Sequence, residues 1–198
     1  MADNAFICVD RFHVITGGPG SGKSTLLDAL QAAGYARSVE AGRGVIQDQV
    51  RIGGPALPWH DPALFAQLML CWEMRSYHLA RERGGPVLFD RGVPDVVGYL
   101  RLCGLSVPPH VLRAAQSFHY NRQVFIAPPW REIFVQDAER RQNFDEARRT
   151  YDVMASTYDA LGYRLIELPC GPVSERARFV IERIACGDDR GNHEGCRS

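Results

Sequence analysis

The chain is 198 residues long, 45% hydrophobic and 23% charged, with 23 basic and 23 acidic side chains and a formal net charge of zero. That length suits one domain with a core large enough to fold without metals or disulfides. Neutrality argues against a uniform nucleic-acid or acidic-membrane footprint, and no apolar run approaches the ~20 residues of a membrane span. Of the basic side chains 22 are arginine and one, Lys23, is lysine. The opening MADNAFICVDRF lacks the basic and long apolar regions of a secretory signal, so a cytoplasmic protein is expected. Six scattered cysteines with no Cys-x-x-Cys pair read as free thiols rather than bridges or a structural zinc site.

In chain order, Phe12–Thr16 reads as a short buried strand running into glycines. Ser24–Ala33 follows as a helix with Leu26, Leu27 and Leu30 in register, closed by Gly34. Tyr35–Glu40 is a second predicted strand and Arg43–Ile52 a helix stopped by Gly53-Gly54-Pro55. Asp61-Pro62 has the pattern of an N-cap followed by proline at the first helical position, with a helix running toward Gly84-Gly85. Pro86–Asp90 and Gln123–Ala127 are the third and fourth strands. Asp145–Leu161 is a helix, Tyr163–Leu168 the fifth strand and Val173–Ala185 the last helix. Strands separated by helix-length segments require crossovers, hence an α/β fold with a mostly parallel sheet covered on both faces. The spacing predicts one domain over residues 1–186 without internal repeats, and a disordered tail over 187–198, where almost nothing can be buried.

The most specific motif is Gly17-Gly18-Pro19-Gly20-Ser21-Gly22-Lys23-Ser24, which fits G-x-x-x-x-G-K-[ST] between a predicted strand and a predicted helix. Glycines let the backbone curl so that successive N–H groups face phosphate oxygens, and the helix beginning near Lys23 adds its positive end. Lys23 is expected to reach the β- and γ-phosphates as a compact charge, which a planar guanidinium fits poorly. The Ser24 hydroxyl is the expected Mg²⁺ ligand from the loop, and Thr25 completes the nucleotide-contacting run. A site of this type needs a second carboxylate near the metal. Asp90, closing the apolar strand VLF, is the candidate, the alternative being a strand-end Asp that caps the next turn.

Asp90 is followed by Arg91 and Gly92. A motor ATPase would normally carry a glutamate there, and a GTPase an Asn-Lys-x-Asp motif, which a chain with its only lysine in the loop cannot have. Asp-Arg-Gly instead resembles the Asp/Glu-Arg-x motif of P-loop nucleoside and nucleotide kinases, where the acid serves the metal or the acceptor hydroxyl and the arginine binds phosphate or acceptor. Resemblance to deoxynucleoside kinases implies that Glu40, in Val-Glu-Ala-Gly-Arg, takes the acceptor's proton with Arg43 nearby. A helix-cap glutamate is the alternative. The arginines of Glu139–Arg149 resemble the lid of small-molecule kinases, with Arg140, Arg141 or Arg148 in the phosphate role, against the alternative of a solvated helix face. Trp59, His60, Asp61, Phe65 and Tyr99 fall where such kinases build the acceptor pocket, although Asp61 already serves as a cap and Phe65 can be core. Gly53–Trp59 is the better candidate for a mobile acceptor loop.

Together with Leu161-Gly162-Tyr163 and Leu168-Pro169, these motifs make residues 11–185 similar to the small single-domain "AAA domain" ATPases. That group is nearer to nicotinamide-riboside, thymidylate and deoxynucleoside kinases than to motors. The resemblance implies a three-layer P-loop fold with sheet order 2-3-1-4-5 and the Leu168–Val173 loop against adenine. It further implies ATP and Mg²⁺ as cofactors, and transfer of the ATP γ-phosphoryl group to a small-molecule acceptor. A homodimer is compatible with it; nucleic-acid and membrane partners are not expected. A slow ATPase acting as a nucleotide-gated protein-binding module is the alternative function.

Overall fold

A computed structural model of the chain describes residues 10–133 and 143–191, the last five as backbone alone. The order of elements is β1 (Phe12–Gly17), α1 (Lys23–Ala32), β2 (Ala36–Arg37), α2 (Ala41–Ile52), α3 (Pro62–Arg81), β3 (Val87–Asp90) and α4 (Val93–Leu102). Then come α5 (Pro109–Ser117), β4 (Gln123–Ala127), α6 (Phe144–Ala160), β5 (Arg164–Glu167) and α7 (Val173–Gly191). The strands form one parallel sheet in the order β2-β3-β1-β4-β5, the expected P-loop arrangement.

Successive strand side chains point to opposite faces, so the two-residue alternation sorts the core into two halves. Phe12 and Val14 of β1, Val87 and Phe89 of β3, and Val124 of β4 face one way, against a layer that includes Phe65, Leu70, Val96 and Tyr158. Ile15, Leu88, Phe125 and Ala127 face the other way, against Leu26, Leu27 and Leu30 of α1 and Val180 and Ile184 of α7. Each such fully buried side chain contributes about 1.5–3 kcal/mol of transfer free energy. The first half is also knit by aromatics: Phe12 meets Tyr77 edge-on at 5.1 Å between centroids, and Tyr77 meets Tyr120 at 5.5 Å.

Helix starts follow local chemistry. The Asp61 carboxylate accepts the Leu64 N–H at 2.9 Å with Pro62 opening α3, as the sequence reading expects. At α6, Asn143 Oδ1 accepts from the Glu146 N–H and Glu146 Oε2 accepts from the Asn143 N–H, both at 2.9 Å. This reciprocal cap starts the helix at Phe144, one residue before the predicted Asp145.

Four elements differ from expectation. Helices α4 and α5 were not anticipated between the third and fourth strands. The predicted second strand contracts to Ala36–Arg37, because only this short stretch of the sheet edge pairs with β3. The last helix continues from Ala185 through Gly191 into the predicted tail; Gly187 weakens a helix by roughly 1 kcal/mol, which does not stop one anchored by buried Val180 and Ile184. Residues 192–198 lie outside the described part. Cys71, Cys103, Cys170 and Cys186 are free and exposed. Among the described residues no helix is long and apolar enough to cross a membrane.

Candidate active site

The site sits at the carboxyl ends of β1 and β3, where the chain leaves β1 for one side of the sheet and later crosses to β4 on the other. Open parallel sheets place ligand crevices at such a switch point. Strand β1 ends in the glycine-rich loop, and Gly22 enters α1 in the left-handed conformation (φ 72°). The start of α1 has no side-chain cap and no acid in its first turn, which leaves its amides and its positive end for an anion. Lys23 is buried, with Nζ donating to the carbonyls of Gly18 at 2.6 Å and Gly17 at 3.1 Å and to Ser21 Oγ at 3.2 Å. Ser21 Oγ in turn donates to the Gly18 carbonyl at 2.8 Å. Ser24 and Thr25 lie exposed on the first turn of α1.

Two of the loop glycines are required by packing. A Cβ on Gly17 (φ 131°) would lie 2.5 Å from the Ala127 carbonyl oxygen at the end of β4. One on Gly18 would lie 2.5 Å from the Ala147 carbonyl oxygen of α6. The loop is therefore pressed against both the neighbouring strand and the helix that follows residues 134–142.

Strand pairing sets Asp90 opposite Ile15, two residues before Gly17. Asp90 is buried, and its N–H donates to Ser38 Oγ at 3.1 Å. The next residue, Arg91, is a non-glycine residue with positive φ (73°), a backbone state that costs energy and requires support. Its N–H is held by the Ile15 carbonyl at 3.1 Å. The guanidinium lies 3.3 Å from Glu40 Oε1 through Nε and 3.3 Å from Asp95 Oδ1 through Nη1. Burial works against its charge, but Glu40, Asp95 and Asp90 outweigh that effect and raise its pKa, so Arg91 stays protonated. Glu40 occupies the N-cap position of α2, yet its side chain makes no capping hydrogen bond and turns to Arg91 instead. The alternative reading of Glu40 as a side-chain helix cap is therefore not what its hydrogen bonds show.

Beside the loop opens a cavity of about 910 Å³ whose lining includes Pro19 of the loop, Glu40, Arg91 and Asp95. Trp59, Phe65 and Tyr99, expected near an acceptor pocket, also line it. His60 and Asp61 do not: His60 Nδ1 approaches the Pro55 carbonyl at 3.2 Å and Asp61 caps α3. The cavity lies in the size range of small-molecule sites.

Three residues of the site were missed by the sequence reading. Asp95 is tied to Thr16, Gly92, Tyr158 and Arg91. Glu73 reaches the cavity from α3 and is 2% exposed; burial first, then Asp95 and Asp90, raise its carboxyl pKa well above the usual range. Arg176 of α7 donates to the carbonyls of Ser21 at 3.1 Å and Gly22 at 3.3 Å, with Trp130 5.9 Å from its guanidinium. Arg176 lies far along the chain from the loop, and only the register of α7 hints at it. Among the lid candidates, Arg148 is exposed on α6 next to Ala147, while Arg140 and Arg141 lie outside the described residues.

For Mg²⁺, the sequence reading names Ser24 and Asp90, an all-oxygen pair of the kind this ion prefers, and both stand at the loop end of the sheet. Among the described residues no group of three or more His, Cys, Asp or Glu side chains is arranged to hold a metal by itself. A site completed by phosphate oxygens and water does not require one.

The family described as "AAA domain" matches residues 12–176. Among solved structures, a deoxyadenosine kinase from M. mycoides with dCMP and dCDP bound superposes with a TM-score of 0.61 at 11% identity, covering 88% of this chain and 99% of that one. A shikimate kinase from Acinetobacter baumannii in complex with shikimate gives a TM-score of 0.54 at 16% identity, covering 92% and 96%. At these identities the likeness is one of fold: the five-stranded 2-3-1-4-5 sheet with helices on both faces. No curated protein matches the chain.

Proposed function

The chain belongs to the AAA domain family, and on that footing we propose that it is an ATP-dependent phosphotransferase that moves the γ-phosphoryl group to a small hydroxyl-bearing acceptor. The observation that carries this reading is the cavity of about 910 Å³ that shares Pro19 with the phosphate loop and has Glu40 and Arg91 in its lining. A pure hydrolase has no use for so large an apolar-walled chamber next to the transferred group.

In this reading the loop amides and Lys23 hold the triphosphate, and Ser24 and Asp90 hold Mg²⁺, which when bound neutralises charge on the β- and γ-phosphates. The acceptor occupies the cavity with its hydroxyl toward Glu40. Glu40 lines that space and Asp90 does not, which makes Glu40 the better-placed base. The carboxylate takes the hydroxyl proton, the oxygen bonds to the γ-phosphorus, and the bond from that phosphorus to the β-bridging oxygen breaks to release ADP. Arg91, kept protonated by its carboxylate neighbours, orients Glu40 and offsets the charge that develops on the transferred group. Arg148 on α6 is the lid candidate within the described residues; Arg140 and Arg141, which lie outside them, stay part of the proposal.

The test is ADP release by the full chain with Mg²⁺·ATP, with and without a panel of hydroxyl compounds, for the native protein and Lys23→Ala. Acceptor-stimulated release that falls at least ~100-fold in Lys23→Ala, with the melting transition kept, is the expected result. A normal rate for Lys23→Ala removes the site assignment. Hydrolysis indifferent to every acceptor, with a partner protein retained only in ATP, favours the nucleotide-gated binding module instead.

A further inference from the structure

The cavity beside the phosphate loop holds more acid than its cation balances. Among the described residues its charged lining consists of Glu40, Glu73, Asp95 and Glu146 against one guanidinium, Arg91. Arg91 is already divided between Glu40 and Asp95 at 3.3 Å each. Asp95 is further engaged by Thr16, Tyr158 and the Gly92 amide, and Glu146 Oε2 accepts from the Asn143 amide in the cap of α6.

Glu73 stands apart from these three. It is 2% exposed, and its Oε2 is buried without a hydrogen-bond partner among the described residues. Glu73 belongs to the cavity lining, and a buried carboxylate with an unpartnered oxygen is the acceptor half of an interaction that a ligand donor completes once the side chain rotates to meet it. Apart from Thr150 the rest of the wall is apolar or aromatic, with Ile46, Phe65, Met69, Val96, Tyr99 and Met154. Phe65 and Tyr99 pack edge-on at 5.3 Å between centroids.

We propose that Glu73 selects the acceptor, and that the acceptor is a cationic alcohol: a hydroxyl compound with an apolar or aromatic body and an ammonium group that pairs with the Glu73 carboxylate. The proposal rests on the phosphotransferase reading and adds the charge class of the substrate. An anionic acceptor would meet like charges here, and the guanidinium that would answer it is occupied. An ammonium meets the acidic wall and aromatic rings whose faces attract cations. The arrangement also has a proton signature. Burial and the neighbouring carboxylates raise the Glu73 pKa, whereas an ammonium beside it favours the ionised form. Binding therefore shifts Glu73 toward the carboxylate that pairs with the ammonium and delivers its proton to solvent.

The experiment uses the full chain with Mg²⁺·ATP and matched triads of hydroxyl compounds, in which one apolar body carries an ammonium, an N-acetylamino or a carboxylate group. Phenylalaninol, N-acetylphenylalaninol and phenyllactate form one triad. The expected result is that ammonium members give the highest kcat/KM for acceptor-stimulated ADP release. Calorimetry of their binding, with a non-hydrolysable ATP analogue in two buffers of different ionisation enthalpy, should register net proton uptake by buffer. Glu73→Gln should raise the KM for ammonium members at least ~30-fold, as when one partner of a buried charge pair is truncated, and abolish the proton release. Preference for neutral or carboxylate members, or ammonium binding without proton release in the native protein, overturns the proposal whether or not the variant folds. ADP release stimulated by no member of any triad overturns the phosphotransferase reading beneath it.

Discussion

The Thr16 hydroxyl donates to Asp95 Oδ1 at 2.5 Å and so fastens the end of β1 to the first turn of α4. The other oxygen of the same carboxylate takes the Tyr158 hydroxyl at 2.5 Å and the Gly92 amide at 2.9 Å. A buried carboxylate thus joins the strand that enters the phosphate loop, the turn that carries Arg91, and α6. Its job is positioning: it fixes where the loop starts and, through Arg91, where Glu40 points.

Thr16→Val keeps the volume at this position and deletes the donor. The Asp95 oxygen then loses its shortest neutral partner in a buried setting, which costs about 1–3 kcal/mol. Urea denaturation should show a lower midpoint with an unchanged slope. An unaltered midpoint would mean that the bond contributes nothing to the fold.

Gly18→Ala tests the packing role of the loop glycines. The new methyl would lie 2.5 Å from the Ala147 carbonyl oxygen, and the three nearest atoms are all backbone. The loop or α6 has to shift, at a cost of about 1–3 kcal/mol, and ATP affinity should fall with stability. Gly84→Ala serves as the control, because nothing lies within 4 Å of its added Cβ. Its effect should stay within about 0.5 kcal/mol. Equal melting temperatures for the two variants would refute the packing argument.

Arg91→Lys keeps the charge and removes the fork. A single ammonium has no planar pair of donors to span Glu40 and Asp95, which are now held from different nitrogens of one group. We expect turnover to drop about 10–100-fold, the scale of a displaced catalytic group, while the protein stays folded because the buried positive charge is retained. Near-native turnover would show that Arg91 does not set the orientation of Glu40.

Glu73 should make stability depend on pH in an unusual direction. Its folded-state pKa is raised, by burial and then by Asp95 and Asp90. Between the ordinary carboxyl range and that raised value the folded protein therefore binds the proton that the unfolded chain has released. Stability from this group is fully present below the unfolded pKa and declines as pH rises toward the folded one, at up to about 1.4 kcal/mol per pH unit for one proton. Glu73→Gln removes this decline, so relative to the native protein it should gain stability as pH rises above the ordinary carboxyl range. Parallel stability curves for the two proteins would contradict the raised pKa.

Much of the site was legible because its signals are local. The loop motif, the strand that ends in Asp90 and the Asp61 cap each occupy a few consecutive residues with one physical task. Helix α4 was not legible because it is buried nearly all round, Val93 through Gly98 and Leu100 included. A helix without a polar face has no 3.6-residue stripe to read. Helix α5 begins at Pro109 after Pro108, a pair that reads as a breaker. Glu73 looked like one polar residue on an otherwise amphipathic α3. Its distinction comes from Asp90, Asp95 and Arg91, which approach it only after the sheet has formed. Arg176 is hidden for the same reason, since four strands and the helices between them separate it in sequence from the loop carbonyls it holds.

The close seating of Gly18 against Ala147 bears on how such proteins diversify. Helix α6 is at once the backing of the phosphate loop, through Ala147, and a wall of the neighbouring cavity, through Thr150 and Met154. A substitution that reshapes this wall disturbs the grip on the nucleotide as well. The opposite wall, built by Ile46, Val50, Trp59 and Met69 of α2, α3 and their connection, has no such double duty. Lineages that change the molecule they act on should therefore have accumulated their differences on the α2–α3 side and left α6 almost untouched.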